Sequence, residues 1–371
     1  MDFSPANCPR LIVKVGSSLL VTPDGQVRRD WLATLAADIA ARVQAGQQIA
    51  VVSSGAIALG ARRLKLAKGG RASLEDAQAA AATGQIALSQ IWAELLGAEG
   101  LTAAQMLVTL DDLEDRRRYL NASATLNRLL TLGVVPVINE NDSVATEEIR
   151  FGDNDRLAAR VAQAAGAQGV VLLSDVDGLH AANPLTHPEA PLIERVERID
   201  AAIDAMANGA SSSGMGSGGM ASKIAAARIA TGAGVALAIA SGRVDHPLAR
   251  LADSGRGTLF VPERTANARK AWLAGGLTAR GQIAIDAGAA RALADGKSLL
   301  AAGALSVTGR FRRGDLVAIL GPDGGVVARG LSEYDADDAA RLCGTRSEDH
   351  AAILGYAPRS ALVHRNQMAL L

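Results

Sequence analysis

Five short apolar runs, Leu11–Val15, Gln48–Val52, Val134–Ile138, Gly169–Leu173 and Val235–Ala240, constrain the fold of this chain more than any other feature. Each is too short for a helix and too uniformly apolar for a sheet with one wet face, and each leads into Gly, Ser, Asn or Asp. Between them lie Ala-, Leu-, Arg- and Gln-rich segments with helical texture: Trp31–Ala45, closed by Gly46 as a cap, then Leu74–Leu96, Leu120–Leu132, Arg156–Ala165 and Met220–Thr231. Strands that want burial on both faces, separated by helices, predict a mainly parallel sheet with right-handed crossovers and helices on both sides. The expected fold class is α/β, a three-layer sandwich running to about Pro262.

From Gly281 the texture changes. IAIDAGA, SLLAAGALSVTG, DLVAILGPDGGVVARG and ALVHRNQM are short alternating segments broken by glycine turns, and they predict a small β-barrel-like domain. A chain of 371 residues, 49% of them hydrophobic, exceeds the size at which single cores usually divide. Two domains are expected, 1–262 and 281–371, with 263–280 as a polar, positively charged connection carrying a short helix around Trp272.

Charge is balanced at 38 basic and 38 acidic residues, so no polyanion is implied as the obligatory partner. Cys8 and Cys343 form no CxxC pair, which points to a reducing compartment and away from a disulfide scaffold or structural zinc site. The start MDFSPANCPR lacks an apolar signal core, and the Ala-rich segments are interrupted before they reach bilayer length. A soluble cytoplasmic protein is expected.

In open α/β sheets, ligands sit beyond the carboxyl ends of the strands. VVPVINENDSVATEEIRFGDND, from Val134 to Asp155, puts clustered amides and carboxylates there. Such groups suit an ammonium and repel phosphate, so a cationic or zwitterionic ligand fits; the competing reading is a solvated acidic loop with turns at Asn141-Asp142 and Gly152-Asp153.

SSSGMGSGGMASK, from Ser211 to Lys223, runs into a helical segment and reads as an anion cradle of backbone N–H groups and a helix N-terminus. As composition alone it could equally be a flexible linker, and it is not a Walker A motif. Lys223 favours the cradle, because the macrodipole disfavours a lysine at a helix start unless an anion is bound. Lys14 interrupts LIVKV, where a buried ammonium would need a partner; an edge strand with Lys14 in water is the alternative. Gly16-Ser17-Ser18, Ser53-Ser54-Gly55 and Ser174-Asp175 close three strands with small hydroxyl turns, enough for one shared pocket. The five histidines show no metal-ligand or general-base spacing, so neither a histidine-held metal nor a histidine base is expected, and no metal-ligating residue is assigned. Phosphoryl transfer fits this inventory, since it needs positioned cations and an in-line acceptor but little covalent help, and a carboxylate acceptor needs no base.

KVGSS at Lys14–Ser18, VSSGAIALG at Val52–Gly60, PVINENDSVATEEIRFGDND and GMGSGGMASK resemble the bacterial glutamate 5-kinase family, amino acid kinases that phosphorylate the γ-carboxylate of L-glutamate in proline synthesis. The likeness covers nearly the whole chain, and the tail resembles a PUA domain. The resemblance implies Lys14 and Lys223 at the phosphoryl group with Asp155 organising both, and Ser54, Asp142 and Asn154 on glutamate. It implies Ser174, Asp175, Ser217, Gly218, Gly219, Met220, Ala221, Ser222 and Lys223, with Lys14, on the nucleotide. Ser17, Ser174 and Ser222 stand where threonine is frequent in that family. It further implies ATP with Mg2+ held mainly by phosphates and water, proline as feedback inhibitor, a homo-oligomer, and a glutamyl-phosphate reductase as partner. The rivals are an aspartate, N-acetylglutamate or UMP kinase of the same fold, and an RNA-binding protein. Against RNA, ten basic residues in 282–371 are matched by ten acidic ones, and only Phe311, Tyr334 and Tyr356 could stack on bases.

Overall fold

The computed structural model describes residues 2–22, 26–144, 153–184, 186–208, 219–262 and 279–371. They separate into two compact units, Met1–Glu114 with Asn121–Glu263, and Asp115–Leu120 with Arg264–Leu371. The expected helix around Trp272 lies outside the described residues.

The first unit is built on an eight-stranded sheet: β1 (Arg10–Val15), β2 (Gln48–Ser53), β3 (Ala103–Val108), β4 (Val135–Glu140), β5 (Gly169–Ser174), β6 (Arg195–Val196), β7 (Ala236–Ser241) and β8 (Thr258–Phe260). The order is β3-β4-β2-β1-β5-β7-β8-β6, and every pairing is parallel except β7 with β8. All five apolar runs are strands, each within a residue or two of its expected bounds. Sequence reading passed over β3, β6 and β8.

Strand alternation sorts β1 into two faces. Leu11, Val13 and Val15 join one core with Trp31, Leu35 and Ile39 of helix Arg29–Gln44 and with Leu88, Trp92 and Leu96 of the long helix Leu74–Ala98. Ile12 and Lys14 therefore face the other layer, where helices Asp153–Ala165 and Met220–Gly232 pack. Trp92 is fully buried and its Nε1 donates to Ser53 Oγ at 2.9 Å, tying the long helix to the end of β2. Truncating a buried tryptophan of this kind costs about 3–5 kcal/mol.

Two glycines bring the long helix unusually close to helix Ala56–Arg63. A Cβ on Gly60 would lie 1.7 Å from the Ala80 carbonyl oxygen, and one on Gly84 would lie 1.8 Å from that of Ala56. The two backbones are thus in contact, which fixes the helix that starts directly after Ser54-Gly55.

The second unit carries a five-stranded sheet of β9 (Gly281–Ile285), β10 (Ala304–Gly309), β11 (Leu316–Leu320), β12 (Val326–Leu331) and β13 (Met368–Leu370), in the order β10-β9-β11-β12-β13. All its pairs are antiparallel except β9 with β11. Ile283, Ile285, Val317, Ile319, Leu342 and Val363 fill its core. Phe311 and Tyr334 are buried in that core too, and the Tyr334 hydroxyl donates to the Arg359 carbonyl, so two of the three aromatic rings weighed as base-stacking platforms are structural.

Candidate active site

The strand order reverses about β1: β2, β4 and β3 lie on one side and β5 and β7 on the other. A crevice opens beyond the carboxyl ends at such a switch point. Those ends carry Lys14 and Gly16 on β1, Ser53-Ser54-Gly55 on β2, Asn139 to Asp142 on β4 and Ser174-Asp175 on β5. The Ser54 amide donates to the Val15 carbonyl at 3.1 Å, which holds two of these ends together. Gly55 makes the turn with φ +108°, a left-handed conformation that disfavours a side chain.

Lys14 is in the middle of the sheet, paired with Val52 on one side and Leu172 on the other, so the edge-strand alternative does not hold. Its partner is Asp155. Lys14 Nζ lies 2.5 Å from Asp155 Oδ1, and Lys223 Nζ lies 3.2 Å from Asp155 Oδ2. Exposure falls to 6% for Lys14, 0% for Asp155 and 4% for Lys223, so all three charges are held out of bulk water. Burial pushes the Lys14 ammonium below its usual range; Asp155 pulls it back up, Lys223 pushes it further down, and Asp175 adds a weaker upward pull. Burial works to raise the Asp155 carboxyl, but the two lysines together hold it below its usual range. Asp155 stands in the first turn of helix Asp153–Ala165, where the macrodipole also favours its charge. One carboxylate between two ammoniums leaves this group of three with a net positive charge, which suits a phosphoryl group.

Lys223 is the fourth residue of helix Met220–Gly232, whose N-cap, Gly219, supplies no side-chain cap. Gly219, Met220, Ala221 and Ser222 thus form a helix N-terminus of the anion-binding type beside the lysine pair. Ser217 and Gly218 lie outside the described residues. Ser174 is buried, and its hydroxyl donates to Asp175 Oδ1 at 3.1 Å; the field of Asp175 on Lys14 puts this turn at the same crevice.

Asn154 precedes Asp155 and, about 100° around the helix, turns toward the other strand ends. Its Nδ2 donates to Ser54 Oγ at 2.9 Å and to Asn139 Oδ1 at 3.1 Å. Asp142 is buried at the start of a short 3-10 turn, Asp142–Val144, just beyond β4. Arg71 bears on it: burial lowers the Arg71 guanidinium and the Asp142 charge pulls it back up. Lys14, Asp155 and Lys223 form one group, and Ser54 and Asn154 another. Sequence reading missed Asn139 as a site residue, although it stands inside the NEND motif, and it missed Gln85, whose Oε1 accepts from Asn139 Nδ2 at 2.8 Å. An amide directly following the apolar run VPVI is the signal that could have found Asn139.

The model of the amino acid kinase family matches residues 9–241, and that of the PUA domain matches residues 281–354. The chain belongs to the amino acid kinase family. It is 74% identical to the glutamate 5-kinase of Sphingopyxis alaskensis over 369 residues, covering 100% of this chain and 99% of the relative. It is 65% identical to that of Zymomonas mobilis, covering 100% and 93%. Among solved structures, a carbamate kinase from Giardia lamblia bound to AMP-PNP shares the fold of the kinase portion at 14% identity, with a TM-score of 0.51 over 68% of this chain and 98% of that one. No helix among the described residues is long and apolar enough to cross a membrane.

Proposed function

We propose that the chain transfers the terminal phosphoryl group of ATP to the γ-carboxylate of L-glutamate, giving L-glutamyl 5-phosphate, the first step of proline synthesis. The observation that carries this reading is the Asp155 carboxylate held between two buried lysines, with its neighbour Asn154 turned to a pocket of amides and hydroxyls. The high identity to relatives named glutamate 5-kinase supports glutamate as the acceptor.

An oxygen of the γ-carboxylate attacks the terminal phosphorus in line; the new O–P bond forms as the bond to the β,γ-bridging oxygen breaks, and ADP leaves. The carboxylate is already a nucleophile and needs no base. Lys14 and Lys223 sit where the transferring group gathers charge, and Asp155 between them fixes their positions. Ser54 and Asn154, with Asp142, orient the amino acid. Ser174, Asp175 and residues 217–223 hold the nucleotide. Both Asp155 oxygens face lysines, so that carboxylate is already committed, and Mg2+ would enter with the nucleotide, held mainly by its phosphates and water, where it would neutralise phosphate charge. The kinase is assigned to 1–262 and the PUA domain to 281–371, and proline competition, a homo-oligomer and hand-over of the product to a reductase in the cytoplasm belong to the same reading.

The test is an acceptor screen with ATP and Mg2+, trapping acyl phosphate with hydroxylamine for glutamate, aspartate and N-acetylglutamate and following ADP release for UMP. Hydroxamate should form with glutamate far faster than with aspartate, whose shorter side chain misplaces the reacting oxygen; a displacement of about 1 Å costs about 10²-fold. Equal yields from the two would sink the assignment.

A further inference from the structure

From the long helix to the ends of β4 and β2 runs a chain of side-chain hydrogen bonds with a single direction. Ser89 Oγ donates to the Gln85 backbone carbonyl at 2.7 Å. With its one proton spent, that hydroxyl can only accept, and Gln85 Nε2 faces it at 3.3 Å. The Gln85 carboxamide is thereby oriented with Oε1 toward Asn139, whose Nδ2 donates to it at 2.8 Å. Asn139 must then present Oδ1, and it accepts from Asn154 Nδ2 at 3.1 Å; the second Asn154 proton goes to Ser54 Oγ at 2.9 Å. Gln85 and Asn139 are buried, so water does not substitute freely for either.

The consequence appears at the far end. Asn154 has committed both N–H donors, which leaves its Oδ1, buried and unpaired among the described residues, as an acceptor. Ser54 Oγ already accepts a hydrogen bond, which leaves its proton to give. One acceptor and one donor on adjoining side chains match the ammonium and a carboxylate of an amino acid, and the reverse polarity would exchange the two places and turn the ligand end for end.

We propose that Gln85, oriented by Ser89, is a positioning residue that sets the direction of this relay and so the polarity with which Ser54 and Asn154 meet the amino acid. The proposal rests on the reading of this pocket as the amino acid site and deepens it. Gly84, the residue before Gln85, lies against the Ala56 carbonyl and so fixes the long helix beside the helix that follows Ser54.

The experiment measures kcat, KM for the amino acid, KM for ATP and thermal melting for wild type, Gln85→Met, Gln85→Glu, Ser89→Ala and Gln90→Met, an exposed position on the same helix. Gln85→Met keeps the side chain's length and leaves the Asn139 amide a buried donor without an acceptor; KM for glutamate should rise about tenfold while KM for ATP moves less than about twofold. Gln85→Glu still offers Asn139 an oxygen and should recover most of the glutamate affinity even as its buried charge lowers the melting temperature. Ser89→Ala should raise that KM about threefold, since it frees the Gln85 amide to turn, and Gln90→Met should do nothing. A Gln85→Met enzyme with unchanged KM for glutamate, or a Gln85→Glu enzyme with a higher KM than Gln85→Met, would overturn the proposal and leave Gln85 as packing between helix and sheet. A wild type that turns over another amino acid in place of glutamate would overturn the glutamate assignment instead, and the same KM ratios taken on that amino acid would decide the relay.

Discussion

The two sides of the crevice are built from opposite materials. At β1 and β5, full charges meet in the dry interior, two ammoniums on one carboxylate. At β2 and β4, neutral amides and a hydroxyl line up donor to acceptor, with Asp142 a buried carboxylate beyond the strand. Buried charge is costly and is justified where charge on the ligand itself changes during the reaction, as at a transferring phosphoryl group. An amino acid's ammonium and α-carboxylate keep their charges throughout, so fixed dipoles of the right polarity are enough to orient them.

The largest effect is expected at the residue that makes the charged side tolerable. Asp155→Ala leaves two ammoniums buried without a counter-charge, which should cost about 3–5 kcal/mol of stability and lower kcat by about 10³-fold or more. Melting curves and turnover check both; a variant that melts normally would show that the lysines do not need the carboxylate. Next come the lysines. Lys223→Ala and Lys14→Ala should each lower kcat by roughly 10²–10⁵-fold with KM for glutamate little changed, and near wild-type kcat in either would reduce the charged side to a structural ion pair.

On the amide side the expected injury is geometric. Gly84→Ala would drive a methyl into the Ala56 carbonyl and push the helix after Ser54 away, costing about 1–3 kcal/mol and raising KM for glutamate more than KM for ATP. An equal rise in both would mean that the helix pair serves the fold as a whole.

Much of this comparison was legible in the sequence, and what was not has physical causes. Strands β1, β2, β4, β5 and β7 are central and buried on both faces, so they announce themselves as apolar runs. Strand β3, Ala103–Val108, lies at the sheet's edge with most of its residues partly exposed, and its alanines and glutamine carry no strand signal. Lys14 stood out because a charge in an apolar strand needs a partner, Lys223 because a lysine at a helix start opposes the macrodipole, and Asp155 as part of a cluster of amides and carboxylates. Gln85 did not, because a glutamine in an Ala-rich helix reads as a solvated face; only the sheet packed against it shows that it is buried. The neutral side of the site is quiet in sequence for the same reason that it is inexpensive to bury.

A smaller effect belongs to the loop after β5. His180 holds the Ala190 carbonyl through Nδ1 and Asp177 through Nε2, both at 2.9 Å, and Arg256 grips the other Asp177 oxygen. Burial alone would lower His180, but these two bonds and the Asp177 charge outweigh it and raise it above the ordinary histidine value of about 6.5. The protonated ring therefore stabilises the fold fully below that value, and the contribution is lost as pH rises through the raised pKa. The gap in melting temperature between wild type and His180→Phe should be wider at pH 6 than at pH 9; a gap that widens toward alkaline pH would show that the ring is held neutral.

The division of labour itself is tested most directly by a double-mutant cycle between Lys223 and Asp142, with kcat and both KM values measured for the wild type, Lys223→Ala, Asp142→Ala and the double variant. Lys223→Ala should act through kcat, and Asp142→Ala through KM for glutamate together with sensitivity to proline. In kcat/KM the two losses should multiply, their free energies adding to within about 0.5 kcal/mol as for independent sites. A coupling well beyond that, or a Lys223→Ala variant whose loss falls mainly on KM for glutamate, would contradict two separately built sides and make the crevice a single electrostatic unit.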